Sequence, residues 1–178
     1  MKKILLSSVI LVISFFTFSQ ELHLKNVLVI GQFDRPEDRY AVEVNVTELL
    51  NNAGVKALPS LNVLKQGTAA IQLASDSIQN VITQKGFDTY LIVNVRGYDR
   101  KFKPSQTKIS FEEMLNMASI YHIYRDEATS VSFEFTFFKN NEVIYRDIVR
   151  CGNISNRDSV IKKFRKKLPK QIEKRWKV

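Results

Sequence analysis

Apolar and polar positions alternate along this chain with three different periods, and each period predicts a kind of element. The segment Lys25-Asn26-Val27-Leu28-Val29-Ile30-Gly31 is a short unbroken apolar run closed by glycine, the pattern of a strand buried on both faces. Asp34-Arg35-Pro36-Glu37 follows, with Asp34 as cap, an early proline and an acid three residues after the cap, which predicts a helix start. Val42, Val46, Leu49, Leu50 and Ala53 form its apolar stripe, and Gly54 ends it. Val55-Lys56-Ala57-Leu58 predicts a brief second strand stopped by Pro59-Ser60. After a polar loop around Lys65-Gln66-Gly67, the spacing of Ile71, Ala74, Ile78, Val81 and Ile82 predicts a second helix closed by Gly86. Tyr90-Leu91-Ile92-Val93-Asn94-Val95 is the third strand. Strand, helix, strand, helix, strand at these lengths implies right-handed crossovers and a parallel βαβαβ core with the first strand central.

Beyond Val95 the pattern changes. Residues 100–129 are mixed, with a short helix predicted where Ser110-Phe111-Glu112-Glu113 forms a capping box. Val131, Phe133, Phe135 and Phe137 then alternate with Ser132, Glu134 and Thr136, a period-two strand. Asn140-Asn141 suits a tight turn at positive φ, and Val143 to Val149 returns antiparallel. The fold class is therefore α/β, a two- or three-layer sandwich whose mixed sheet extends a parallel core by an antiparallel hairpin. A final helix begins at Ser155-Asn156-Arg157-Asp158, with Val160, Ile161, Phe164, Leu168, Ile172 and Trp176 on its apolar face. Pro169 is expected to kink or split it, and residues 170–178 to project as a basic tail with Trp176 as an interfacial anchor.

The ends change the picture more than the overall composition does. Lys2 and Lys3 precede an apolar run from Leu5 to Phe18, and Thr17-Phe18-Ser19 places small residues where a signal peptidase cuts. The run is about 14 residues, short of the roughly 20 that span a bilayer. Residues 1–19 thus read as a cleavable signal peptide and 20–178 as one domain, exported to the periplasm or secreted. Cys151 is the only cysteine, so no internal disulfide braces the domain and no lipid-bearing cysteine follows the apolar run.

The net charge of +9 is unevenly placed. Residues 157–178 carry ten Lys or Arg against Asp158 and Glu173, while residues 20–156 are close to neutral. An amphipathic helix of this kind packs its apolar face on the sheet and turns its cations to water. Lys162, Lys163, Arg165, Lys166, Lys167, Lys170, Lys174, Arg175, Trp176 and Lys177 make up the candidate surface for an anionic membrane or an acidic envelope protein. Export argues against nucleic acid as the partner.

The order of these features resembles a known type of domain. A signal sequence, Lys25-Asn26-Val27-Leu28-Val29-Ile30, a helix carrying Glu43, Leu50 with Gly54-Val55, Pro59-Ser60, and Gly86-Phe87-Asp88-Thr89-Tyr90-Leu91-Ile92-Val93 lead into an antiparallel pair with a polar turn. This resembles the uncharacterised α/β domains of Gram-negative envelope lipoproteins and, more distantly, the amino-terminal domain of the periplasmic TolB protein. The resemblance implies an envelope role, at the periplasm or peripheral to the outer membrane, and no particular chemistry.

Candidate chemistry narrows the field further. Gly31-Gln32-Phe33-Asp34 matches neither a dinucleotide fingerprint nor a phosphate loop. Two histidines, His23 and His122, with one cysteine offer no spaced ligand set, so neither metal nor cofactor is expected. No Gly-x-Ser-x-Gly elbow is present; Cys151 lies beside Arg150, which could activate it as a nucleophile if His122 met it in the fold, but the expectation is a small half-buried residue at a strand end. In a wound sheet, ligands sit beyond the carboxyl ends of the strands. That rim would carry Asp34, Arg35, Ser60, Arg96, Tyr98, Asp99 and Arg100, a set suited to a polar or anionic ligand. The leading expectation is a non-enzymatic envelope module that binds a protein, a membrane surface or a small polar ligand. The alternative is a hydrolase-like or glycan-processing site in a concave rim pocket lined by Asp34 with Asp99 or Arg96.

Overall fold

The computed structural model describes residues 22–64, 68–117 and 120–177, so the signal peptide expected over residues 1–19 and the loop expected around Lys65-Gln66-Gly67 lie outside the described residues. Strands β1 (Asn26–Gly31), β2 (Lys56–Pro59), β3 (Thr89–Tyr98), β4 (Ser130–Lys139) and β5 (Glu142–Gly152) form one sheet in the order β2-β1-β3-β4-β5. β1 pairs in parallel with β2 and β3, whereas β3, β4 and β5 pair antiparallel. The helices are α1 (Pro36–Asn52), α2 (Asp76–Gln84), α3 (Phe111–Asn116) and α4 (Arg157–Gln171).

Crossover handedness decides the number of layers. The chain moves from β1 outward to β2, then back past β1 to β3, so two right-handed crossovers put α1 and α2 on opposite faces. On one face Val27, Val29, Leu91, Val93, Phe133, Phe135 and Phe137 pack with Val42, Val46 and Leu50 of α1 and Val160, Phe164 and Leu168 of α4. On the other, Leu28, Ile30, Tyr90, Ile92 and Phe138 meet Leu73, Ile82, Phe111, Met114 and Leu115. The sandwich has three layers.

Local chemistry explains most element ends. Gly54 sits at φ +83, and its N–H and that of Val55 bond the Asn51 and Leu50 carbonyls, which closes α1 in a Schellman turn. Asn140 and Asn141 both adopt positive φ, as the tight β4–β5 turn requires. The Ser110–Glu113 capping box forms with both of its bonds, and Asn156 forms a second one with Ser159. At the start of α1, Arg35 and not Asp34 is the capping residue, with no side-chain bond; Pro36 alone sets the first turn.

Three expectations are corrected. The second predicted helix is two pieces, a 3₁₀ turn over Ala70–Ala74 and then α2, joined at an extended Ser75; Val81 is largely exposed while Ile82 is buried. Pro169 does not split α4, which runs on to Gln171 and passes into a π turn over Ile172–Trp176. Residues 170–177 do not project. Trp176 and Ile172 are fully buried, Trp176 packs on Phe135 and Phe137, and its carbonyl accepts from the Leu24 N–H.

The π turn has a geometric role. Residues four apart on an α-helix advance about 40° past one full turn, so four such steps drift by about 160°. Val160, Phe164, Leu168, Ile172 and Trp176 nevertheless all face the core. The wider π turn rotates the chain back and keeps Trp176 on the sheet.

Candidate functional site

The strand rim is not level, and this separates the residues expected there. Gly31 at the end of β1 pairs with Val93, while β3 continues five residues further to Tyr98, about 16 Å beyond at 3.3 Å per residue. Asp34 and Arg35 belong to the β1 end and are exposed. Tyr98, Asp99 and Arg100 belong to the far end of β3.

At the β1 end the organising residue is one the periodicity does not single out as buried. Glu43 of α1 has no exposed surface. Its Oε1 accepts from the Gly31 N–H (2.9 Å), Arg39 Nε (2.9 Å) and the Ser60 hydroxyl (2.7 Å), and its Oε2 from the Leu61 N–H (3.1 Å). Arg39 Nη2 also donates to Ser60 Oγ, at 2.9 Å. Ser60 is buried in this network, so it is a structural link and not an open ligand group. One carboxylate thus ties the ends of β1 and β2 to the first turns of α1. Gly31 fits because an added Cβ would lie 3.2 Å from both the Arg39 carbonyl and Glu43 Cγ.

Above this network lies a cleft of about 240 Å³, lined by Gln32, Phe33, Asp34, Arg39, Ala69, Ala70, Leu115, Asn116 and Met117. Gln32 Nε2 donates to the Met114 and Met117 carbonyls and so fixes the end of α3 against β1. Neither Asp99 nor Arg96 reaches the cleft, so the paired arrangement expected of a hydrolase-like rim does not form there.

At the β3 end the residues serve a loop. A bulge at Arg96 shifts the β3–β4 register, and Arg96 faces Glu134 at 3.7 Å. The Tyr98 hydroxyl donates to the His122 carbonyl at 2.6 Å, and burial raises its pKa. Asp99 sits at φ 53 and accepts from the Thr129 N–H, the Thr129 hydroxyl and the Ser130 N–H, all at 2.9 Å. The Thr129 hydroxyl, more than the two backbone donors, holds the Asp99 carboxyl below its usual range. Arg125 lies over the Tyr98 ring at 4.6 Å, and Arg100 is exposed. Asp38 of α1 adds to the same clamp: it is buried, accepts from the Ile123 N–H and pairs with Arg157 at 2.8 Å.

The polar side of β4 is not open to water. Glu134 and Thr136 are buried beneath the coil of residues 101–110, whose Ser105 N–H donates to Glu134 while Arg146 donates to the Ser105 and Thr107 carbonyls. Gly97 makes room for that coil, since an added Cβ would lie 2.6 Å from the Phe102 ring.

Cys151 is a core residue and not an activated nucleophile, and it is buried more completely than the half-buried position expected. The thiol is fully buried in the core, and burial pushes its pKa up to about 11 in spite of Lys167 and Lys163. We expect no alkylation by iodoacetamide in the native protein at pH 8 over the time in which urea-unfolded protein reacts completely. Native labelling at the unfolded rate would show that the core opens at β5.

Nine of the ten cations of the C-terminal segment divide into two groups, and the tenth, Lys163, is half-buried. Arg157 pairs with Asp38, Arg165 makes two 2.7 Å contacts with Glu48, Arg175 pairs with the buried Asp147, and Lys177 lies near Glu173. Lys167 donates to the Arg150 carbonyl. Lys162, Lys166, Lys170 and Lys174 are exposed, and no acidic partner is found for them among the described residues. Each stands two residues after a core position, about 200° around the helix, so the lysine row is opposite the buried row. Trp176 is not part of this surface: its indole N–H donates to Asp147 at 2.9 Å inside the core.

This is a three-layer α/β domain with a mixed sheet, and comparison with known proteins adds distant likenesses. No family model matches the chain, and no curated protein does. Among solved structures it is similar to the lipoprotein GNA1162 from Neisseria meningitidis, at 16% identity and a TM-score of 0.45, over 84% of this chain and 98% of that one. It is also similar to PelC from Paraburkholderia phytofirmans, a dodecamer, at 11% identity and a TM-score of 0.46, over 84% and 85% of the two chains. No helix among the described residues is long and apolar enough to cross a membrane.

Proposed function

We propose that this protein is an exported envelope module that docks peripherally on an anionic membrane surface through the lysine row of α4 and the π turn that follows it. The observation that carries the reading is that Lys162, Lys166, Lys170 and Lys174 stay exposed with no acidic partner among the described residues, whereas Arg157, Arg165, Arg175, Lys177 and Lys167 are committed to Asp38, Glu48, Asp147, Glu173 and a backbone carbonyl, and Lys163 is half-buried. The export signal at residues 1–19 supports the compartment. With Trp176 in the core, the contact is electrostatic and inserts nothing.

A basic residue close to an anionic leaflet contributes about 1 kcal/mol, so four give about 4 kcal/mol, a reversible attachment. The test is co-sedimentation with phosphatidylglycerol-containing vesicles at low salt. Binding should vanish with phosphatidylcholine alone, fall steeply as salt is raised, and be lost in K162E/K166E/K170E/K174E with the thermal midpoint preserved. Undiminished binding by that variant would remove the row from the account.

A further inference from the structure

We propose that the cleft at the end of β1 is a binding site for a single sugar ring, neutral or amine-bearing, held without chemistry being done on it. The site lies where a wound sheet receives ligands, outside the carboxyl end of β1 beside the point where the strand order reverses. At about 240 Å³ it is smaller than the roughly 300–1,000 Å³ of sites for drug-sized molecules, and so suits one ring and not a chain.

Its charge balance selects the ligand class. Arg39 is the cation of the lining, but its charge is already matched by Glu43 at 2.9 Å, and Glu43 is saturated by four donors. Asp34 is then the charge of the lining with no partner among the described residues, which disfavours phosphate and carboxylate ligands. What the walls do offer is a mixture of donors and acceptors. Arg39 spends Nε and Nη2 on Glu43 and Ser60, and Nη1 has no partner among the described residues. Gln32 spends its amide N–H groups on Met114 and Met117, and its side-chain oxygen has no partner among the described residues. Asn116 adds a donor and an acceptor, and Phe33, Leu115 and Met117 add apolar wall. Hydroxyl groups, which donate and accept at once, match such a lining, and an amine matches Asp34.

The Glu43 network also makes the site preorganised. Arg39 is held on two sides before any ligand arrives, so little side-chain freedom is lost on binding. This reading is independent of the lysine row, which lies on α4 and the π turn.

Saturation-transfer NMR and calorimetry on the purified protein, with glucosamine, glucose and inorganic phosphate as probes, test the proposal. We expect glucosamine and glucose to bind in the millimolar range and phosphate not to bind. D34N, at an exposed position, should weaken glucosamine roughly fivefold or more and bring it to the level of glucose, since a charge-assisted bond is lost. A69W, which fills the cleft from an exposed position, should abolish both sugars with the thermal midpoint unchanged. Binding of phosphate in preference to the sugars would overturn the charge argument. Absence of sugar binding in the parent, or its survival in A69W, would overturn the site itself.

Discussion

Removing the last eight residues should unfold this protein, although they read as a solvent-exposed basic tail. Truncation after Lys170 deletes Ile172 and Trp176, both without exposed surface, and strips Asp147 of its Gln171, Arg175 and Trp176 partners. A large-to-small change at a buried Trp costs about 3–5 kcal/mol, and a domain of this size has about 5–15 kcal/mol in all. W176A alone should therefore lower the thermal midpoint by about 6–20 °C, at 2–4 °C per kcal/mol. D147A tests the same joint from the sheet side. It leaves the Trp176 N–H unpaired in the core, at a cost of about 1–3 kcal/mol. Circular dichroism melts of the three variants check this, and a truncated chain with an unchanged midpoint would refute it. The truncation is thus no probe of membrane docking; the lysine substitutions are.

The second large effect belongs to Glu43. E43A leaves the Gly31 and Leu61 N–H groups, the Ser60 hydroxyl and the half-buried Arg39 guanidinium without their acceptor. Removing one member of a buried ion pair costs about 3–5 kcal/mol. Urea denaturation should show that loss, and E43A/R39A should be less destabilised than the sum of the single changes, because the two side chains act as one unit. Strict additivity would mean that the carboxylate works through its backbone donors and not through Arg39. Either way the cleft above the network should lose its shape in E43A, so Glu43 cannot serve as a neutral probe of ligand binding.

These two sites show where local sequence and tertiary structure part. The strand-helix-strand order, the β4–β5 hairpin, the Gly54 stop and the Ser110 and Asn156 caps were legible because each depends on residues within a few positions of one another. The stripe Val160, Phe164, Leu168, Ile172, Trp176 was legible as a face. Whether its far end was buried was not, because a four-residue spacing drifts off an α-helix unless a π turn corrects it. The rim residues were legible as types and not as a group. Ser60 is consumed by Glu43, Asp99 by the 129–130 segment, and the end of β1 that leads into Asp34 stops about 16 Å short of the β3 end, since strand ends in a sheet need not be level.

The α/β class, the order of elements, the export expectation and the concentration of charge in the last 22 residues could all be read from the chain's local pattern, because periodicity, caps and charge counts are local quantities. Which acids go inside follows from the fold, with Asp38, Glu43, Glu134 and Asp147 buried against donors that include ones 12 to 119 positions away. The fold also decided which of the ten cations remain free. A charge is neutralised by what the fold brings near it, and only packing sets that distance.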